Sequence, residues 1–284
     1  MRTWPRRNRQ WAFRDAVVFS GGGNAGAAQV GMARALFEAG VQPDLFIGCS
    51  VGALNATFLA EEPSLAQVDR LDTIWRQVAA GTVFGGTRRS VAAHLIRRHS
   101  HLFEPDGLRS LIRATIGVTD LAHTAVPVQV VTTDIEAGEP AWWSCGDPIE
   151  ILAASACLPG MFPPVRLGAT LHVDGGVLCP VPVGRALHLG AQRVWVLDVC
   201  GHKPPQLPER PTALDVLLTS FSLTRRALHA HATPPPVPGQ EIIPVTADLP
   251  PRLDVRDFSH TSDLIELGYQ AGRAVLGAAL TEAS

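Results

Sequence analysis

Residues 45–54 read Leu-Phe-Ile-Gly-Cys-Ser-Val-Gly-Ala-Leu, and this stretch indicates the fold more clearly than any other part of the chain. Its first three residues form a short apolar run that is typical of a buried strand. Small and apolar residues from Ala53 to Ala60 then predict a helix, which Pro63 ends. The stretch therefore predicts a strand, a tight turn bounded by glycines, and a helix.

The chain before this stretch has the same order of elements. Residues 16–20 predict a buried strand that runs into three glycines, and residues 25–39 predict a helix that Gly40 ends. This alternation is typical of a parallel sheet covered by helices on both faces. Further strands are predicted over 126–133, 170–173, 193–199 and 241–244, and further helices over 149–156 and 261–280.

The sequence thus predicts an α/β protein with three layers, α/β/α, around a mainly parallel central sheet. Residues 64–117 and 201–240 do not join the alternation, and we expect them to form helical covers. Because no linker isolates these covers, one domain is expected over 15–284. Residues 1–14 form a basic leader without a signal-peptide pattern, which we expect to be a mobile end.

Composition narrows the possible partners and compartment. Of the 284 residues, 46% are hydrophobic and 18% are charged, as in a compact globular protein. The formal net charge of −2 gives no reason to expect nucleic acid as a partner. The five cysteines have neither metal-ligand nor disulfide-framework spacing, so a reduced, cytoplasmic protein without a metal is predicted.

One cover segment leaves peripheral contact with a membrane open. Residues 87–116 mix apolar residues with a basic cluster, Arg88, Arg89, Arg97 and Arg98. A basic amphipathic cover can dock on an anionic lipid surface. A solvated helix face over a core is the more common explanation of such a stretch, and it is our first interpretation.

Ser50 is the candidate nucleophile, at the centre of the pattern Gly48-x-Ser50-x-Gly52. A serine nucleophile projects from a tight turn between a strand and a helix, and flanking glycines allow that turn. The N-terminus of the following helix stabilises developing negative charge beside the serine. A serine that only caps the helix is the alternative, but a cap does not require both glycines.

A glycine-rich loop, with Gly21, Gly22, Gly23 and Gly26, is the candidate anion site. Backbone amides in such a loop can converge on a phosphate or on the oxyanion of a tetrahedral intermediate. The pattern also fits dinucleotide binding, which needs an acidic residue at the end of the second strand. Asp44 precedes that strand instead of ending it, so no cofactor is predicted.

The third candidate element is Asp174, followed by Gly175 and Gly176 after the predicted strand at 170–173. A carboxylate at a strand end is placed to face a crevice, although Asp-Gly is also a common turn dipeptide. Taken together, the three elements offer a nucleophile, an anion cradle and a carboxylate base at strand ends.

These motifs, in this order, resemble the patatin-like phospholipases and lipid acyl hydrolases. Residues 154–164, Ala-Ser-Ala-Cys-Leu-Pro-Gly-Met-Phe-Pro-Pro, are similar to the block that precedes the aspartate in that family. The resemblance covers residues 15 to 200 well. It implies a Ser50–Asp174 dyad that cleaves fatty-acyl esters of phospholipids or acylglycerols through an acyl-enzyme. It also implies an oxyanion hole of the amides of Gly21–Gly23, and no cofactor.

One residue departs from the family's pattern, and some alternatives stay open. The family often has Arg or Lys two residues after the third glycine of its loop, where this chain has Ala25. Phospholipids, neutral acylglycerols and short esters therefore all remain candidate substrates. A Ser-His-Asp esterase, an inactive lipid-binding relative and an acyltransferase are the alternatives, and the oligomeric state is not predicted. The histidines that follow Asp174 are His188, His202, His229, His231 and His260.

Overall fold

The computed structural model describes residues 13–84, 100–200, 206–232, 234–250 and 257–282. Its centre is an eight-stranded sheet. The strands are β1 (Phe13–Phe19), β2 (Leu45–Cys49), β3 (Val128–Asp134), β4 (Glu139–Trp143), β5 (Val165–Leu167), β6 (Thr170–Asp174), β7 (Ala191–Asp198) and β8 (Glu241–Thr246).

Helices pack on this sheet and around its edges. Within the described residues they are α1 (Gly26–Glu38), α2 (Val51–Glu61), α3 (Leu65–Gln77), α4 (Ala80–Val83), α5 (Asp106–Thr115), α6 (Pro148–Ser155), α7 (Val183–His188), α8 (Ala213–Ala232) and α9 (Thr261–Glu282). None of the helices in the described ranges is both long enough and apolar enough to cross a membrane.

The strand order is β5-β6-β3-β2-β1-β7-β8, and β4 also pairs with β3. The five strands β8, β7, β1, β2 and β3 are parallel. At one side of the sheet β4 and β6 run antiparallel to β3, and β5 runs antiparallel to β6. The predicted mainly parallel α/β/α fold is therefore confirmed. β4, β5 and α7 were not predicted from the sequence, because they are short, with 5, 3 and 6 residues.

Both faces of the sheet are buried, which explains the unbroken apolar runs in β1 and β2. Val17 and Phe19 contribute to a large core that includes residues of α1, α2 and α3, whereas Ala16 and Val18 face a smaller core with α7. Successive side chains of a strand point to opposite faces, so such a strand must be apolar at every position. This packing makes the three layers.

Two predictions concern residues at the limits of the described chain. β1 begins at Phe13, so the strand takes up the last two residues of the predicted leader, and residues 1–12 lie outside the described ranges. The predicted cover at 64–117 contains α3, α4 and α5. The basic cluster Arg88, Arg89, Arg97 and Arg98 lies outside the described residues.

Candidate active site

Ser50 occupies a sharp turn between β2 and α2. Its φ of 54° and ψ of −128° make it the one residue other than glycine with positive φ in the described ranges. Such a conformation costs about 1–3 kcal/mol and persists only where the surroundings enforce it. A Cβ atom at Gly48 would lie 2.4 Å from Ala53 Cα, and one at Gly52 would lie 2.4 Å from the Ser20 carbonyl oxygen. Both glycines are therefore required by close backbone approach.

Asp174 lies level with Ser50 across strand β3. Cys49 pairs with Val131 on one side of β3, and Asp174 pairs with Thr132 on the other. We expected this carboxylate at the end of a parallel strand, but β6 is antiparallel to β3. Asp174 is the last residue of β6, and β6 runs antiparallel to β3, so the strand ends at the level of Ser50.

The carboxyl group of Asp174 is almost completely buried, with 1% of the residue exposed. Its Oδ1 accepts a hydrogen bond from the Gly176 amide at 2.7 Å and a weak one from the Cys49 thiol at 3.9 Å. Its Oδ2 has no hydrogen-bond partner of normal geometry among the described residues. One carboxylate oxygen is therefore held in place while the other remains available.

Burial raises the pKa of Asp174 above its usual value. The positive charge of Arg225 opposes this rise, as do hydrogen bonding with the Ser50 hydroxyl and the bond from the Gly176 amide. A raised pKa makes the carboxylate a better proton acceptor than a solvated aspartate.

The block at residues 154–164 positions both candidate catalytic residues. The Ser155 hydroxyl accepts a hydrogen bond from the Ser50 amide at 3.0 Å and donates one to the Val131 carbonyl at 2.7 Å. The Cys157 carbonyl accepts the amide of Asp174 at 2.9 Å. In the sequence this block indicates only the family resemblance, and its positioning role follows from these contacts.

The glycine loop follows β1 and approaches Ser50, but its three amides are not equivalent. The Gly21 amide donates to the Pro180 carbonyl at 2.9 Å, so its assignment to the oxyanion hole is corrected. The Gly22 and Gly23 amides make no such bond to any residue that the structure describes. The Val51 amide, at the first position of α2, is a further candidate donor, which was not among the predicted site residues.

An apolar cavity of about 110 Å³ opens beside Ser50. Its wall includes Gly23 of the loop together with apolar side chains of α2, α3 and α5, such as Leu54, Leu71 and Leu108. An apolar cavity with few polar groups at its mouth is suited to a hydrocarbon chain.

Arg225 of α8 brings a positive charge to the site, and nothing in the sequence pattern indicated it. Its Nη2 lies 2.9 Å from the position that a Cβ atom of Gly21 would take, and its Nε lies 3.2 Å from the corresponding position at Gly176. Nη2 also donates to the Cys200 sulfur at 3.2 Å. The guanidinium therefore lies against both the glycine loop and the turn after Asp174.

The histidines that were considered as alternative catalytic bases have other partners in the structure. Both ring nitrogens of His172 lie 3.0 Å from threonine hydroxyls, and Nε2 of His229 lies 3.2 Å from Asp198 Oδ2. Within the described residues no histidine is hydrogen-bonded to Ser50 or Asp174. His202 and the side chain of His231 lie outside those residues.

Asp44, the rejected ribose ligand, has a structural role. Its carboxylate accepts the amides of Arg14 at 2.8 Å and Asp15 at 3.2 Å, which fixes the start of β1. The part of the chain that the structure describes contains no cluster of three or more His, Cys, Asp or Glu side chains suited to a metal ion.

The fold and the strained turn at Ser50 define the class of protein: an α/β protein with a serine in a sharp turn between a strand and a helix. The profile of the family described as Patatin-like phospholipase matches residues 17–187. The chain belongs to this family.

Among related sequences, Patatin-like phospholipase domain-containing protein 7 of Rattus norvegicus is 30% identical over 186 residues, which are 65% of this chain and 13% of that protein. Patatin-like phospholipase domain-containing protein 6 of Homo sapiens is 25% identical, over 92% of this chain and 20% of that protein. Lysophospholipase nte1 of Aspergillus terreus is 27% identical, over 64% of this chain and 12% of that protein. The chain thus spans a fifth or less of the length of these relatives.

Among solved structures, VipD from Legionella pneumophila is similar in fold, with a TM-score of 0.50 and 13% identity. The likeness covers 94% of this chain and 67% of that one.

Proposed function

We propose that the protein is a serine lipid acyl hydrolase that cleaves fatty-acyl esters through a Ser50–Asp174 dyad. The observation that carries the proposal is the buried Asp174 carboxyl group, which lies level with Ser50 across β3. Its Oδ2 lacks a hydrogen-bond partner of normal geometry within the described ranges. Membership of the patatin-like family supports a lipid ester as substrate, as does the relative named as a lysophospholipase.

In the first half-reaction, Ser50 Oγ attacks the ester carbonyl carbon and its proton passes to Asp174. The amides of Gly22, Gly23 and Val51 stabilise the oxyanion, each contributing about 3 kcal/mol in comparable sites. The intermediate collapses to an acyl-enzyme, and the leaving alcohol takes the proton from Asp174. A water molecule then attacks the acyl carbon, Asp174 accepts its proton, and the fatty acid leaves as Ser50 is protonated again.

The apolar cavity supplies the site for the acyl chain. Because it begins at Ser50 and continues between α2, α3 and α5, a chain inside it keeps its ester carbonyl at the serine. Burial of each methylene contributes about 0.8 kcal/mol, which favours long acyl groups over short ones.

We expect the protein to bind its substrate at a lipid surface. Seven large apolar side chains are exposed in the described part of the chain, and five of them lie between Leu207 and Val237. Leu217 and Leu223 of α8, 53% and 47% exposed, belong to this group. Leu217→Asp and Leu223→Asp should reduce sedimentation with phosphatidylglycerol vesicles, whereas Leu65→Asp, at an exposed leucine of α3, should not. Equal sedimentation of all variants would contradict surface contact through α8.

The dyad is tested with Ser50→Ala and Asp174→Asn on a chromogenic acyl ester. Both should lose hydrolysis by at least about a thousandfold while keeping wild-type melting curves. Ser64→Ala and Asp69→Asn, which change the same residue types on or beside α3, should retain activity. Substantial turnover by Ser50→Ala would refute the mechanism.

The alternatives give different results in two further measurements. A fluorophosphonate probe should label the wild type at Ser50, and a catalytically inactive relative would not react. A histidine triad would make one His→Ala variant as inactive as Ser50→Ala. An acyltransferase would release product only when an acceptor alcohol is added.

A further inference from the structure

Three side chains separate the apolar cavity beside Ser50 from a second cleft. Phe58 of α2, Ile74 of α3 and Thr115 of α5 line the apolar cavity. The same three residues also line a cleft of about 670 Å³. Since a residue that lines two spaces lies between them, Phe58, Ile74 and Thr115 form a wall, which we call the end wall.

The cleft beyond the end wall is polar and open to solvent. Its border includes the exposed charged residues Glu62, Asp69 and Arg70. A hydrocarbon chain is stabilised where it leaves water for apolar surroundings, and such surroundings end at the border of this cleft. The end wall is therefore the place where the apolar environment offered to an acyl chain stops.

Hydrogen bonds between the helices hold the end wall in place. Gln67 Nε2 donates to the Phe58 carbonyl oxygen at 2.7 Å, which joins α3 to α2. Glu61 Oε1 accepts the amides of Gly117 and Val118 at 2.8 and 3.0 Å, which joins the end of α2 to the chain just after α5. The Phe58 ring is packed in the core, with 6% of the residue exposed. A ring held in this way does not move aside without disturbing its neighbours.

The position of Phe58 along α2 limits the length of a chain in the cavity. Val51, Leu54 and Phe58 all line the cavity, so it follows α2 away from Ser50. Phe58 lies eight residues after Ser50, which is about 12 Å along the helix at about 1.5 Å per residue. An extended hydrocarbon with C–C bonds of about 1.5 Å advances about 1.25 Å per bond, so no more than about nine carbons fit before the end wall. The volume of about 110 Å³ is likewise small, since a cavity of about 150 Å³ holds benzene.

We propose that Phe58, together with Ile74 and Thr115, is a specificity-determining residue that limits the bound acyl chain of the substrate to about nine carbons. This inference rests on the proposed function. Each methylene that enters the cavity is buried and strengthens binding, and this gain stops where the chain meets the end wall. The site therefore favours medium-chain over short-chain acyl esters and gains nothing from the additional carbons of longer ones.

The test measures the affinity of saturated fatty acids, from butanoic to tetradecanoic acid, by calorimetry below their critical micelle concentrations. All members of the series carry the same carboxylate, so differences between them come from the chain alone. In the wild type the dissociation constant should fall roughly fourfold per added methylene up to about nine carbons and then stay level. We call the chain length at which the gain stops the break.

Three variants locate the break in the structure. Phe58→Ala opens the end wall and should move the break to longer chains by roughly two to four carbons, because the volume of the ring becomes available. Ile74→Ala opens the same wall from α3 and should move the break in the same direction. Phe37→Ala removes the same ring from α1, outside the cavity and the cleft, and should leave the break unchanged.

Several results would overturn the proposal. A wild-type affinity that keeps rising to tetradecanoic acid would do so whether or not the variants fold, and so would the absence of measurable binding along the whole series. A break that stays at the wild-type length in Phe58→Ala and Ile74→Ala proteins with cooperative melting curves would do the same.

Hydrolysis of the corresponding 4-nitrophenyl esters separates this proposal from the proposed function. Turnover of the esters together with fatty-acid binding that shows no break would retain the hydrolase and refute the end wall as a limit. A break in fatty-acid binding without turnover of any ester would refute the hydrolase and retain the limit on the bound chain, since binding does not depend on turnover.

Discussion

Replacing Ser155 with alanine tests how the serine turn is held in its strained conformation. The Ser155 side chain is fully buried, and its hydroxyl links the Ser50 amide at 3.0 Å to the Val131 carbonyl at 2.7 Å. Alanine leaves the Ser50 amide without an acceptor in a place that water does not reach, which costs about 1–3 kcal/mol. The lost bond to the Val131 carbonyl adds about 1 kcal/mol.

The expected destabilisation of Ser155→Ala is therefore about 2–4 kcal/mol. For a chain of this size each kcal/mol corresponds to about 2 °C, so Tm should fall by roughly 4–8 °C. The turn at Ser50, with its φ of 54°, also loses the contact that opposes its relaxation. Displacement of the serine oxygen should lower kcat by roughly tenfold to a hundredfold. Calorimetry and steady-state hydrolysis of a butyryl ester measure the two effects.

Ser64→Ala is the matched control for this substitution. Ser64 caps α3 by accepting the Gln67 amide at 3.2 Å, away from Ser50, and its loss should cost about 1 kcal/mol without changing kcat. A Ser155→Ala variant with wild-type kcat and a lowered Tm would refute the positioning role. An unchanged Tm would refute the argument from the buried amide.

Three further predictions concern the base, the loop and the cavity. Burial raises the pKa of Asp174, and the base acts in its ionised form, so kcat/KM should fall as the pH drops through that raised pKa. Arg225→Met removes a positive charge that opposes the rise, so in a pH–rate profile the fall in kcat/KM should begin at higher pH. Asn55→Leu removes the donor to the Gly26 carbonyl at 3.0 Å and the acceptor of the Trp75 indole N–H at 2.9 Å. Tm measured by calorimetry should therefore fall by roughly 4–8 °C, and an unchanged Tm would contradict a stabilising role of these two hydrogen bonds. Leu54→Phe narrows the cavity and should raise the kcat/KM ratio of butyryl to dodecanoyl esters, whereas an unchanged ratio would exclude the cavity as the acyl site.

Much of the fold was predictable because its signals are local. The apolar runs of β1 and β2 are buried on both faces, so they read as strands without any knowledge of their neighbours. β4 is different, because it pairs antiparallel with β3 at the side of the sheet and begins with Glu139 and Pro140, which do not resemble a buried strand. The antiparallel direction of β6 depends on pairing with β3, and no pattern within residues 170–174 shows it.

The candidate site, like the fold, was predictable only where its signals lie close together along the chain. The sequence located Ser50 and the glycines around it, since a strand–turn–helix with close backbone contacts admits few residue types at those positions. It also indicated Asp174 as a candidate, although that residue was expected at the end of a parallel strand and β6 is antiparallel to β3. The Gly21 amide is bound to the Pro180 carbonyl, and the chain's local pattern gives no sign of this distant acceptor.

The sequence by itself determined the parallel strands and the helices between them, the serine turn and the family, because each depends on residues close together along the chain. The tertiary structure decided what surrounds the serine. Ser155 meets the Ser50 amide from 105 residues away, and Arg225 reaches the glycine loop from α8. Such contacts are made only when the sheet and its helices pack together, since the alternation of apolar residues specifies which faces are buried but not which distant side chains meet there.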